Sequence, residues 1–161
     1  MSAPKIHKTN AMRKLDDLDI PYDIFSYDNE DGQIHGSAVA EKVGLNPETV
    51  YKTLVAHAGN NGFVFVIPVA HELDMKKAAR AANEKKIEML PLKELQKWTG
   101  YVRGGCSPIG MKKPFPTFIE ETAQTLEQIA VSAGKIGLQV RLDPQALAQA
   151  TDARFAPLIK D

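Results

Sequence analysis

Val50-Tyr51-Lys52-Thr53-Leu54-Val55-Ala56 and Phe63-Val64-Phe65-Val66-Ile67-Pro68-Val69 flank the polar tetrad Gly59-Asn60-Asn61-Gly62. Two runs rich in β-branched and aromatic residues around a Gly/Asn turn predict a β-hairpin. On its N-terminal side, Met12, Leu15 and Leu18 recur at helical spacing within about 6–18. Pro21 ends that helix and leads into an alternating strand, Tyr22 to Tyr27, with Phe25 and Tyr27 on one side. Ser37 to Gly44 has the serine cap and closing glycine of a short helix. Asn46-Pro47 reads as an N-cap followed by proline at the first helical position.

Beyond the hairpin, Asp74 caps a helix through about Asn83, and Ile87 to Leu90 reads as a short strand. Pro91 opens a helix with Leu92, Leu95 and Trp98 on one face. Thr117–Ile119, Gln128–Ser132 and Leu138–Leu142 read as three more strands, and Asp143-Pro144 caps a final helix to about Thr151. There is no regular βαβ alternation, no repeat and no low-complexity tract. The predicted fold class is mixed α/β (α+β): a curved, largely antiparallel, barrel-like sheet surrounded by short helices, in one domain over 1–161.

Twenty basic and twenty acidic residues cancel. A protein that held nucleic acid through many phosphates would carry a basic excess, so any nucleic-acid substrate is expected to be touched over only a small part. Cys106 is the sole cysteine, which rules out an intrachain disulfide and is consistent with a reducing compartment. The first thirty residues hold no apolar run of signal-peptide length, and the longest such run, Phe63 to Ala70, is too short to span a membrane. The expectation is a soluble, cytoplasmic protein with neither membrane nor DNA as partner.

The segment with the most chemical promise is Gly100-Tyr101-Val102-Arg103-Gly104-Gly105-Cys106-Ser107-Pro108-Ile109-Gly110. Four glycines in eleven residues suit neither helix nor strand interior. They suit a loop whose N–H groups meet a ligand closely. Ser107 adds a hydroxyl, and Arg103, Lys112 and Lys113 add positive charge. The pattern fits a cradle for an anionic or carbonyl-bearing ligand, and equally an ordinary glycine-rich surface loop. Lys52 is similarly open: alternation places it opposite Tyr51 and Thr53, either on a solvated sheet face or as a cation directed into a pocket.

Other chemistries are excluded. No G-x-G-x-x-G is present, and Gly134-Lys135 lacks the remainder of a phosphate loop. His7, His35, His57 and His71 have no metal-ligand spacing with one another or with Cys106, so neither metal nor cofactor is expected. Ser107 is a poor elbow nucleophile because Pro108 has no N–H for an oxyanion hole. No His or Asp partner is indicated for Cys106.

Val50-Tyr51-Lys52-Thr53-Leu54, Lys85-Lys86-Ile87-Glu88-Met89, Thr99-Gly100-Tyr101 with Gly104-Gly105 and Ser107-Pro108-Ile109-Gly110, and Val131-Ser132 with Gly134-Lys135 and Gly137-Leu138 occur in that order. Together they resemble the YbaK/EbsC family of free-standing aminoacyl-tRNA deacylases, related to the editing domain of bacterial prolyl-tRNA synthetases. The likeness runs from about Ala11 to Phe155. It implies an enzyme that clears cysteine mischarged onto proline tRNA, with cysteine tRNA as a further substrate and alanine as the second choice of amino acid; the alternative reading is a non-catalytic module that binds tRNA or a synthetase. It also implies a ternary complex with aminoacyl-tRNA and prolyl-tRNA synthetase.

The resemblance makes Lys52 the essential cation with Thr53 beside it. Gly104, Gly105 and the Ser132 region would line the pocket, with Tyr27 as a wall. The resemblance implies that no side chain acts as nucleophile: the substrate's own thiolate would attack its ester carbonyl and form a cyclic thioester, with Lys52 and glycine-loop N–H groups, that of Gly105 among them, supplying the orientation and oxyanion stabilisation the reaction needs. His35 stands where the resemblance leads one to expect phenylalanine, and Gln139 where it leads one to expect aspartate. Both are expected near the pocket.

Overall fold

The computed structural model describes residues 7–161. Its centre is the predicted hairpin, β2 (Tyr51–Ala58) and β3 (Asn61–Pro68), paired antiparallel from Tyr51–Pro68 to Ala58–Asn61. The connection is therefore the two residues Gly59 and Asn60. Asn61 and Gly62, expected in the turn, already belong to the strand. Gly59 supplies the positive φ of +60° that so tight a turn needs.

Strand β3 is buried along nearly its whole length because it is central and covered on both faces. Its alternation divides the core. Val64 and Val66 join Tyr51, Val55 and Ile119 in one apolar cluster, while Phe63, Phe65 and Ile67 join Ala56, Leu73 and Phe118 in another.

Around the hairpin lie β4 (Glu88–Met89), β5 (Thr117–Glu120) and β8 (Arg154–Ala156), in the order β4-β2-β3-β5-β8. The pairings β3–β5 and β5–β8 are parallel. A second sheet, β1-β7-β6, comprises β1 (Asp23–Ser26), β7 (Leu138–Leu142) and β6 (Ile129–Ser132), all antiparallel. Among the described residues a single bridge, Val50 to Ala130, joins the sheets. Mixed, largely antiparallel pairing is as expected. The hydrogen bonding among the described residues makes two sheets with no closed ring of strands.

Among the described residues five short α-helices surround the sheets: α1 (Asn10–Asp17), α2 (Gly36–Val43), α3 (Met75–Ala81), α4 (Leu92–Thr99) and α5 (Pro144–Thr151). Thr9, Asp74 and Asp143 cap α1, α3 and α5 through side-chain oxygens that accept early backbone N–H groups. Residue 6, the expected start of the first helix, lies outside the described residues.

Two expected starts differ. The α2 cap is His35, not Ser37: its Nδ1 accepts from the Ala38 N–H at 3.4 Å. Asn46-Pro47 makes one turn and no helix. The Thr49 N–H closes onto the Asn46 carbonyl at 2.8 Å, and Val50 then pairs with the other sheet. Among the described residues no helix is long and apolar enough to cross a membrane.

Candidate active site

Where the two sheets meet, beside the glycine loop, lies a cavity of about 310 Å³. Lys52 and Thr53 reach it from β2, Ser132 from β6, Gln139 from β7, His35 from the start of α2, and Arg103, Gly104 and Cys106 from the loop. Val39, Val50 and Val69 add apolar walls. Six of the nine residues singled out from the sequence thus share one cavity: His35, Lys52, Thr53, Gly104, Ser132 and Gln139. They come from five segments separated along the chain.

The other three sit behind the lining. Ser107 is fully buried, and its Oγ accepts from the Ile109 N–H at 3.2 Å, so the hydroxyl organises the loop in place of meeting a ligand. Gly105 is buried against the turn between β6 and β7. A methyl group there would meet the Ile136 nitrogen at 3.0 Å and the Lys135 carbonyl carbon at 3.2 Å. Its own N–H donates to the Val102 carbonyl at 3.0 Å. Gly105 therefore seats the loop, and its amide is not free to act as the expected donor to a reacting oxygen. Gly104 lines the cavity with φ of +84°, and among the described residues its N–H has no protein acceptor. Tyr27 is 8% exposed and tied to the same turn by its N–H to the Gly137 carbonyl at 2.9 Å.

Local sequence explains how the loop is held. Gly100 ends α4 in the left-handed conformation, and the Lys112 N–H returns to the Thr99 carbonyl at 2.9 Å. Inside the loop, the Tyr101 hydroxyl donates to the Ile109 carbonyl at 2.6 Å. Burial raises that phenol to about 12, so it remains a donor at physiological pH. On the opposite wall, Gly36 packs so tightly on Val69 that any side chain there would collide, and this delivers His35 to the cavity.

Lys52 is half-buried, and among the described residues no carboxylate lies within ion-pairing distance of it. Burial lowers its pKa from the ordinary lysine value, opposed only by the charge of Glu72. Cys106 is 8% exposed, and burial pushes its thiol up to about 12. It is a protonated wall and a poor nucleophile at neutral pH.

The clearest sign of a binding site is a deficit of hydrogen bonds. Among the described residues, three buried side-chain atoms have no partner: Tyr27 Oη, Thr53 Oγ1 and Gln139 Oε1. Buried polar groups are nearly always satisfied, since an orphan costs about 1–3 kcal/mol. All three belong to residues the sequence singled out, and two of them line the cavity.

Sequence reasoning missed the apolar walls Ile34, Val39, Val50 and Val69. Nothing distinguishes such residues from core valines and isoleucines until the chain is folded. A larger groove of about 620 Å³ runs past Lys14, Lys113, Phe115 and Arg154, but it holds none of the nine residues singled out for the site. The gathered candidate residues and the orphaned polar atoms make the smaller cavity the better site.

Residues 35–150 match the model of the aminoacyl-tRNA editing domain, and the chain belongs to that family. It is 46% identical over 152 residues, 94% of this chain and 93% of the other, to an Enterococcus faecalis protein provisionally named Cys-tRNA(Pro)/Cys-tRNA(Cys) deacylase EbsC. It is also 24% identical over 114 residues to a proline–tRNA ligase of Burkholderia orbicola, 20% of whose length it matches. In fold it is similar to a solved structure provisionally assigned as a trans-editing enzyme for prolyl tRNA synthetase. The TM-score is 0.78, with 87% of each chain covered and 21% identity.

Proposed function

We propose that this chain is a trans-acting aminoacyl-tRNA deacylase that removes cysteine from mischarged Cys-tRNA(Pro). The observation that carries the reading is the set of orphaned polar atoms on Tyr27, Thr53 and Gln139, two of them lining the cavity that holds Lys52. The family match and the 46% identity to the Enterococcus protein support the reaction class.

In this reading the aminoacyl group lies in the cavity with its ester carbonyl near Lys52 and the Gly104 N–H. The substrate thiol gives up its proton, and its sulfur attacks the carbonyl carbon. A carbon–sulfur bond forms, the bond to the ribose oxygen breaks, and that oxygen takes a proton as the tRNA leaves. The product is a cyclic thioester. Lys52 and the Gly104 N–H stabilise the negative charge that builds on the carbonyl oxygen, while Thr53, Ser132, His35 and Gln139 hold the amino acid. No triad is needed, because the nucleophile arrives with the substrate.

The proposed working unit is a single free-standing editing domain acting in the cytoplasm with prolyl-tRNA synthetase and its tRNA. The free-standing part of this reading is supported by coverage: the similarity spans 93% of the Enterococcus protein but only a 20% stretch of the proline–tRNA ligase.

The test is deacylation of Cys-tRNA(Pro) beside Ala-tRNA(Pro), using the parent protein and Lys52→Ala. Selective loss of cysteine is expected, with the variant slower by about 10²–10³-fold. Preference for alanine would sink the thiol mechanism. Inertness toward both, with and without the synthetase, would sink the enzyme reading.

A further inference from the structure

The cavity has a charge pattern that the reaction above does not use. Lys52 enters it from β2 and Arg103 from the glycine loop, yet no aspartate or glutamate is among the lining residues. The acid whose charge reaches Lys52 is Glu72, and the Glu72 carboxylate is itself paired with Lys160 at 3.1 Å. The other titratable lining groups supply no anion at neutral pH. His35 is engaged at both ring nitrogens, Nδ1 with the Ala38 N–H and Nε2 with Gln33 Oε1 at 3.0 Å. Cys106 is buried and protonated, and the Tyr51 hydroxyl is turned toward Thr122 at 3.5 Å. On β7, Gln139 is 5% exposed and presents an amide oxygen that lacks a donor.

An aminoacyl group entering this cavity carries an α-amine that can be charged or neutral. As an ammonium it would lose water beside the half-buried Lys52, with the exposed Arg103 at the rim and no carboxylate among the lining residues, which is unfavourable. As a free amine it has no charge to desolvate and still offers two N–H donors, matching the orphaned oxygens of Gln139 and Thr53. We propose that the cavity takes the aminoacyl group with its α-amine unprotonated, and that the uncharged amide of Gln139 sets this preference. The inference rests on the aminoacyl reading of the cavity given above.

The test compares two non-hydrolysable probes, 3′-(2-aminobutyryl)amido-3′-deoxyadenosine and 3′-butyrylamido-3′-deoxyadenosine. They differ only in the α-amine and carry no thiol, so their affinity ratio cancels any pH effect of the protein that acts on both probes alike. An α-amine titrates near 7.7–8.0, so binding of the neutral form alone weakens the amine probe by about twentyfold between pH 9 and pH 6.5. The butyryl probe has no amine and should show no such weakening, so the ratio of the two affinities shifts by that factor.

In Gln139→Glu the new carboxylate would hold the ammonium, and the pH dependence of the ratio should disappear or reverse. If that variant does not fold, the parent ratio alone decides. A ratio independent of pH, or one favouring the amine probe at pH 6.5, overturns the inference and leaves the aminoacyl reading standing. Binding of neither probe overturns both.

Discussion

Thr53→Val is expected to make the protein more stable and a worse enzyme. Thr53 sits on β2 opposite Val66, on the same face as Tyr51 and Val55, both of which belong to the core. Its Oγ1 is buried without a hydrogen-bond partner. Valine fills nearly the same volume, so the substitution removes the orphan and leaves packing close to unchanged. Relief of an unsatisfied hydroxyl is worth about 1 kcal/mol, which in a chain of this size raises Tm by about 2–4 °C. If the hydroxyl finds its partner in the bound aminoacyl group, the same change removes one neutral hydrogen bond, about 1 kcal/mol, and kcat/KM falls by about five- to tenfold. Urea unfolding and deacylation of Cys-tRNA(Pro) on one preparation measure both sides. A variant that is destabilised yet fully active would refute the reasoning, because the hydroxyl would then serve the fold and not the ligand.

Gly105→Ala should do the reverse and damage both properties. The added methyl meets backbone at 3.0–3.3 Å, and backbone yields less readily than the end of a side chain. A stability loss of about 1–3 kcal/mol and a fall in kcat approaching 10²-fold are expected, read by urea midpoint and single-turnover deacylation. Glu120→Ala should cost about 3 kcal/mol in urea unfolding, because it strands the Leu158 N–H, held at 3.0 Å, and the Thr122 N–H, held at 2.7 Å. Burial pushes the Glu120 carboxyl up, but its hydrogen bonds to Thr122, Leu158 and Ile159 outweigh that and hold it below the ordinary value. Its contribution is therefore present above the ordinary glutamate range and lost as pH falls through the depressed native value, so the parent should lose more stability toward pH 3 than Glu120→Ala does. At the alkaline end, Cys106 and Tyr101 are both raised to about 12 by burial, while the unfolded chain releases their protons near 9 and 10. Their native-state advantage is intact below pH 9 and drains between pH 9 and 12. Urea midpoints from pH 8 to 11 should fall accordingly, and less steeply in Cys106→Ala.

Local physics made much of the architecture legible. The central hairpin, the Asp74 and Asp143 caps and the αL glycine ending α4 depend on residues within one turn of each other. Misread elements depended on distant partners. Asn46-Pro47 has a helix start's signature, yet the chain is captured three residues later by pairing of Val50 with Ala130. Arg154–Ala156 is too short to display alternation and becomes a strand only because β5 runs parallel beside it. Ser37 has the chemistry of a cap, but the packing of Gly36 on Val69 starts the helix two residues earlier and leaves that role to His35.

The site divides along the same line. Residue types alone left the glycine loop and Lys52 open between a ligand site and an ordinary surface, because the same residue types serve both. The family resemblance named Lys52, Thr53, Gly104, Ser132, His35 and Gln139. Which of them share a cavity was settled by tertiary structure, since they lie on five segments that only sheet pairing and loop seating bring together. Tertiary structure also withdrew Gly105 and Ser107 to the interior by spending their N–H and hydroxyl on the loop itself. Hydrogen-bond satisfaction and burial are properties of neighbours in space, and a linear chain carries the donors and acceptors without saying which will be left over.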